Sequence, residues 1–155
     1  MITKTSEFAI KALVVLALEG PNAQLAPRDL ATRVGTSPSY LSKTMSQLVK
    51  VGILRSQRGP SGGVMLARPA AAITLRDIVE ACQGMLIGAY CQAIGDAEEE
   101  NVCAYHAAMY DVRKSTADAL GRWSLADLTR CPLPRGELAG NLDCRMGFLR
   151  EHKKS

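Results

Sequence analysis

Apolar residues recur at helical spacing near the start of the chain. Phe8, Ala12, Leu13, Leu16 and Ala17 predict a helix over about Ser6 to Glu19, with Gly20-Pro21-Asn22 stopping it. A second, short helix is predicted from Pro27, whose missing N–H costs nothing at a first helical position; Leu30, Ala31 and Val34 turn inward and Gly35 provides a tight turn. Ser37 before Pro38 makes an N-cap followed by a first-turn proline. Leu41, Met45, Leu48 and Val49 then form the apolar stripe of a third helix that ends at Gly52. Two short aliphatic runs follow, Ile53 to Arg58 and Val64 to Arg68, and the five residues between them are of the types a hairpin loop uses.

Beyond the hairpin the pattern is helical again. Thr74 with Asp77, and Ser124 with Asp127, place an acid three residues after a hydroxyl cap, and each pair predicts the start of a short helix. Between them Val102, Tyr105, Met109, Val112, Thr116, Ala119 and Trp123 repeat every three or four residues as the seam of a long helix. A seam of this kind needs a partner, either a second copy or the chain's own domain. The expected fold is mainly α with a small β-hairpin: a winged helix-turn-helix domain plus a long dimerisation helix. The expected division is residues 1–72 for the three helices and the hairpin, 73–130 for a loop and the long helix, and 131–155 for a basic tail.

The 155 residues suffice for one ordinary core. The longest apolar run, around Leu13 to Leu18, is far short of the roughly 18 residues a bilayer span requires, so no membrane partner is expected. Met1-Ile2-Thr3-Lys4 leads directly into a helix without a small-residue cleavage site, and the expected compartment is the cytoplasm. Net charge is +4, unevenly spread: residues 1–70 carry nine Lys or Arg against three Asp or Glu, residues 71–155 ten against twelve. A basic half suits a polyanion, whose condensed counterions are released on binding.

The third helix displays Ser39, Tyr40, Lys43, Thr44 and Gln47 opposite its apolar stripe, side chains that can reach base edges and phosphates from a major groove. Glycines at 59, 62 and 63 would let the hairpin loop approach a phosphate or a groove, and Arg58 supplies a cation for a narrow minor groove. Arg28, Ser37, Ser39, Tyr40, Lys43, Thr44, Gln47, Arg58, Gly59, Ser61 and Gly62 make up the candidate DNA-binding set.

The run Arg58-Gly59-Pro60-Ser61-Gly62-Gly63, about twenty residues after Ser39-Tyr40-Leu41, closely resembles the IscR/NsrR (Rrf2) family of bacterial winged helix-turn-helix regulators. The resemblance extends to the first helix, to Ile73-Thr74-Leu75-Arg76-Asp77-Ile78-Val79 and to Ser124-Leu125-Ala126-Asp127-Leu128, leaving out about the last 25 residues. It implies a homodimer on double-stranded, pseudo-palindromic operator DNA. The helix from Pro38 would enter each major groove, and Arg58 the minor groove.

Five cysteines, at 82, 91, 103, 131 and 144, in a chain expected in the cytosol suit reduced, redox-active or metal-bound roles better than structural disulfides. Cys82, beside Ile78 and Val79 in an amphipathic helix, reads as a plain buried thiol. Cys131 and Cys144 lie in the Pro-, Gly- and Arg-rich tail and read as inert, with a redox clip or cluster ligation as alternatives. Cys91 and Cys103 bracket an acidic loop, and His106 follows Cys103 by three, so both should project from one face of the long helix. Thiolates suit iron–sulfur clusters or zinc, and imidazole can replace a thiolate at iron.

Cluster-bearing members of the family place three cysteines in this loop. The outer two are matched by Cys91 and Cys103, with eleven residues between them, while Ala97 or a close neighbour stands where the middle one falls. Glu7 aligns within one residue with a position where some members supply a carboxylate from the opposite subunit. The resemblance thus implies Cys91, Cys103, His106 and Glu7 of the partner subunit as ligands of an iron–sulfur cluster, [2Fe–2S] ahead of [4Fe–4S], that senses redox, cluster or nitric-oxide status. Taken alone, Glu7 also reads as a first-turn acid favoured by the helix dipole, and His106 as a surface residue. Two other readings stay open: a cluster-free regulator controlled by thiol oxidation or a protein partner, and, remotely, a zinc enzyme using Cys91, Cys103, His106 and a catalytic water.

Overall fold

The computed structural model describes residues 2–57, 59, 62–88 and 102–130. Helix α1 (Lys4–Glu19) begins two residues before the expected Ser6, because Thr3 caps it by accepting from Ser6 N at 3.2 Å. Its middle, Ala12 to Leu16, is buried on every side, rather than along the single expected stripe; Phe8 and Ala17 are only half-buried. The cause is tertiary: α1 is packed by the second, third and fourth helices and by the last one, and at its midpoint no face is left for solvent.

Helix α2 (Pro27–Val34) buries Leu30, Ala31 and Val34. The chain then reverses at Gly35, whose left-handed backbone (φ 76°, ψ 43°) lets its N–H return to Ala31 O at 2.9 Å. Helix α3 (Pro38–Lys50) starts at its Ser37 cap and buries Leu41, Met45 and Leu48 against α1 and α2. Strands β1 (Leu54–Gln57) and β2 (Gly63–Leu66) pair antiparallel, Leu54 opposite Leu66 and Gln57 opposite Gly63. A two-bond bridge from Leu25 to Val64 fastens this hairpin to the connection before α2.

A 3-10 turn (Ala70–Ala72) leads to α4 (Leu75–Gln83), opened by the expected capping box: Thr74 Oγ1 accepts from Asp77 N at 3.1 Å and Asp77 Oδ2 accepts from Thr74 N at 2.9 Å. Helix α5 (Ala104–Gly121) and helix α6 (Leu125–Arg130) follow, and Ser124 and Asp127 form the second box, with bonds of 2.9 and 3.2 Å. The two capped starts are stitched together by Leu75 N to Trp123 O and Leu125 N to Ile73 O, at 2.9 and 2.7 Å. Ile73, Ile78 and Leu125 share one hydrophobic core with Leu13, Leu41 and Leu54, so that core continues past residue 72. Helix α5 is different: Ala117 is its one buried side chain among the described residues, while Tyr105, Val112 and Trp123 at its end are 66%, 58% and 52% exposed.

Candidate nucleic-acid interface and cysteine site

The outward face of α3 carries Ser39, Ser42, Lys43, Ser46 and Lys50, all exposed and at positions three, four or one apart, which is one helical face. Gln47 is half-buried at its border. Ser42, Ser46 and Lys50 were passed over in the sequence, although the same spacing selects them. Thr44 is a correction. It is 2% exposed and donates its hydroxyl to Tyr40 O at 3.2 Å, because position 44 falls between Leu41 and Leu48 on the inward stripe and a threonine can satisfy itself on its own helix. It is therefore absent from the solvent face.

Ser37 is exposed, and its Oγ accepts from Tyr40 N at 3.3 Å. The Tyr40 side chain leans back toward α1: its hydroxyl shares a 2.5 Å hydrogen bond with Thr5 Oγ1, and its ring meets Phe8 edge-on at 6.0 Å. Arg28 stands exposed in the first turn of α2, and Arg33 is paired with Glu19. On the hairpin, Arg55 is exposed on the outer strand, Gly59 is exposed and Gly62 half-buried, while Arg58 and Ser61 lie outside the described residues. Gly62 and Gly63 have packing reasons to be glycine. A Cβ on Gly62 would stand 2.6 Å from Gln57 O, and one on Gly63 2.6 Å from Leu25 O. Gly63 is buried, so the expectation that it frees the loop for a phosphate gives way to an internal contact.

Cys103 is the exposed N-cap of α5, and its Sγ lies 3.0 Å from His106 Nδ1, the one-face arrangement expected from their spacing. A thiolate and an imidazole are the donor types that iron or zinc accepts. The described residues supply those two; Cys91, Cys131, Cys144 and the position near Ala97 lie outside them. Glu7 sits in the first turn of α1 with Lys11 Nζ at 3.0 Å. Among the described residues of one chain, no three His, Cys, Asp or Glu side chains gather closely enough to hold a metal, so Glu7 does not complete a site with Cys103 and His106 of the same chain. Cys82 behaves as expected. It is half-buried against the core, and burial pushes its thiol up to about 11, with a hydrogen bond to Ser6 pulling weakly the other way.

No helix among the described residues is long and apolar enough to cross a membrane. A capped helix pair around a glycine turn, an open second-helix face and a two-stranded hairpin on the same core define a winged helix-turn-helix protein. Residues 2–131 match the signature of the Rrf2 family, described as an iron-dependent transcriptional regulator, and the chain belongs to that family. It is 28% identical over 127 residues to the HTH-type transcriptional regulator IscR of Klebsiella pneumoniae (strain 342), covering 82% of this chain and 78% of that protein. Two solved structures share its fold at 22% identity. One is T. potens IscR (TM-score 0.69, covering 89% of this chain and 95% of that one), the other CymR, the global cysteine regulator of B. subtilis (TM-score 0.67, covering 83% and 95%). The chain is thus a transcriptional regulator of a DNA-binding family, and the remote enzyme reading is set aside.

Proposed function

We propose that the protein is a cytoplasmic homodimer that binds double-stranded operator DNA and releases or grips it in response to iron–sulfur, redox or nitric-oxide status. The observation that carries the DNA reading is the outward face of α3, polar and cationic over its whole length while its inner face is locked into the core. Ser39, Lys43 and Gln47 would meet base edges and phosphates, Arg28 and Ser37 the backbone beside them, and Arg58, Gly59, Ser61 and Gly62 of the wing the adjacent minor groove. The exposed Tyr105, Val112 and Trp123 on and beside α5 support a second copy packing there, since apolar side chains of that size along one helix otherwise remain in water.

For the signal, Cys91, Cys103, His106 and Glu7 of the partner subunit would hold a cluster, which when bound supplies a centre responsive to oxidants and nitric oxide. Cys103 and His106 support this by standing side by side at the solvent-exposed start of α5. Glu7 would give up Lys11 to reach across the dimer, so occupancy of the site would tie α1 of one subunit to α5 of the other and fix the distance between their recognition helices. The same Sγ to Nδ1 contact supports a second reading, a cluster-free regulator in which the imidazole assists oxidation of Cys103.

Two measurements test this. Protein purified without air is analysed for iron and acid-labile sulfide together with its absorption spectrum. Iron and sulfide in equal amounts support the cluster; a colourless, iron-free sample that forms a Cys91 to Cys103 link under oxidant transfers the signal to thiol chemistry. DNA affinity that does not fall with salt sinks the DNA assignment itself.

A further inference from the structure

We infer that Tyr40 is a positioning residue: through Thr5 and Phe8 it locks the first turn of α3 to the first turns of α1, and thereby sets the separation of the two recognition helices in the dimer. The inference rests on the dimeric DNA-binding reading above.

Tyr40 is held at three points. Its N–H is bound by the Ser37 cap, its hydroxyl by Thr5 at 2.5 Å, and its ring by the edge of Phe8 at 6.0 Å and 80°. Phe8 is itself steadied by the Lys11 ammonium, 5.8 Å from its ring centre, and Lys11 pairs with Glu7. Elsewhere α3 meets the core through Leu41, Met45 and Leu48, and apolar packing of that kind fixes depth but has no preferred direction. A hydrogen bond and an edge-on ring pair do have one, so the Tyr40 contacts resist rotation and sliding of α3 along α1. Although the side chain is 38% exposed, its hydroxyl is directed at Thr5, thirty-five residues earlier in the chain, and its ring at Phe8, an orientation that suits an anchor on α1. Since α1 carries Glu7, a displacement of α1 at the subunit boundary is passed to the recognition helix through this contact as well as through the shared apolar core.

The test uses the full-length protein with Tyr40→Phe, Thr5→Val and the double variant, each of which keeps the packing volume and the Phe8 contact. Affinity is measured by fluorescence anisotropy for a selected operator, for the same operator with its half-sites moved one base pair apart or together, and for single-base changes within a half-site. Wild-type protein is expected to discriminate against the altered spacings. Each single variant should lower that discrimination by about three- to ten-fold, the size of one lost hydrogen bond, and the double variant no further, because both remove the same bond. Base preferences should not move. A change in preference at one base with spacing discrimination intact makes Tyr40 a reader and overturns the inference. No change in either measure overturns it too. Wild-type protein that binds DNA with no spacing preference removes the dimeric reading and this inference together.

Discussion

Gly63→Ala should unfasten the wing. A Cβ at this position stands 2.6 Å from Leu25 O and 2.8 Å from its carbonyl carbon, about 0.8 Å inside the 3.4 Å at which ordinary contact begins. Both atoms are backbone, so no rotamer change relieves the clash; β2 and the Leu25 segment must part. The bonds between them, Leu25 N to Val64 O at 3.1 Å and Val64 N to Leu25 O at 2.9 Å, are then lost. Two such bonds are worth about 1–3 kcal/mol, residual overpacking adds about 1 kcal/mol, and the stiffer unfolded chain of alanine returns about 0.5 kcal/mol. The net expectation is a loss of about 1.5–3.5 kcal/mol. Gly35→Ala is the internal control: nothing lies within 4 Å of its Cβ, and the left-handed backbone alone costs about 1 kcal/mol. Urea unfolding should rank Gly63→Ala well below Gly35→Ala, with faster amide exchange at Leu25 and Val64 and weaker operator binding. Equal losses in the two variants, with the Val64 amide still protected, would refute the packing argument.

Four further outcomes follow from the same geometry. With its thiol pushed up to about 11 from an ordinary 9.0, Cys82 should react with iodoacetamide at pH 8 about ten-fold more slowly than a free cysteine, its smaller thiolate fraction being partly offset by the greater nucleophilicity of that thiolate, as peptide mass mapping would record. Between pH 9 and 11 the unfolded chain ionises this thiol while the folded one keeps its proton, so its contribution is present below pH 9 and declines as pH rises through that window, read by unfolding midpoints in a Cys82→Ala comparison. Lys43→Ala should leave the unfolding midpoint unchanged, as an exposed side chain, and reduce the slope of log affinity against log salt by about 0.9 if it neutralises one phosphate; an unchanged slope would remove it from the interface. Val112→Glu, on the exposed seam of α5, should convert a dimer to monomers in analytical ultracentrifugation, and a variant that sediments as wild type would place the dimer contact elsewhere.

Local rules made much of this fold readable from the chain. The Gly35 turn, the Ser37-Pro38 start of α3 and both hydroxyl–acid boxes depend on residues within four positions of one another, and all form as expected. The Cys103 and His106 pair was legible for the same reason, three residues apart on one helix. What escaped was set by distant neighbours. The burial of α1 on every side depends on four other helices, and Gly63 owes its identity to the backbone at Leu25, thirty-eight residues away. Thr44 misled because its hydroxyl outweighed its spacing, three residues after Leu41 and four before Leu48, which sets it on the inward stripe, where Tyr40 O satisfies it. The link from Thr5 to Tyr40 leaves no trace in spacing, since both residues also suit an exposed helix face.

In the proposed function, two copies of α3 read a twofold DNA site. Iterative selection of random-sequence duplexes by the purified full-length protein tests it most directly. Enrichment of an inverted repeat whose half-sites lie about one helical turn, or a multiple of it, apart is expected. Enrichment of no sequence, or of a single site without dyad symmetry, would contradict it.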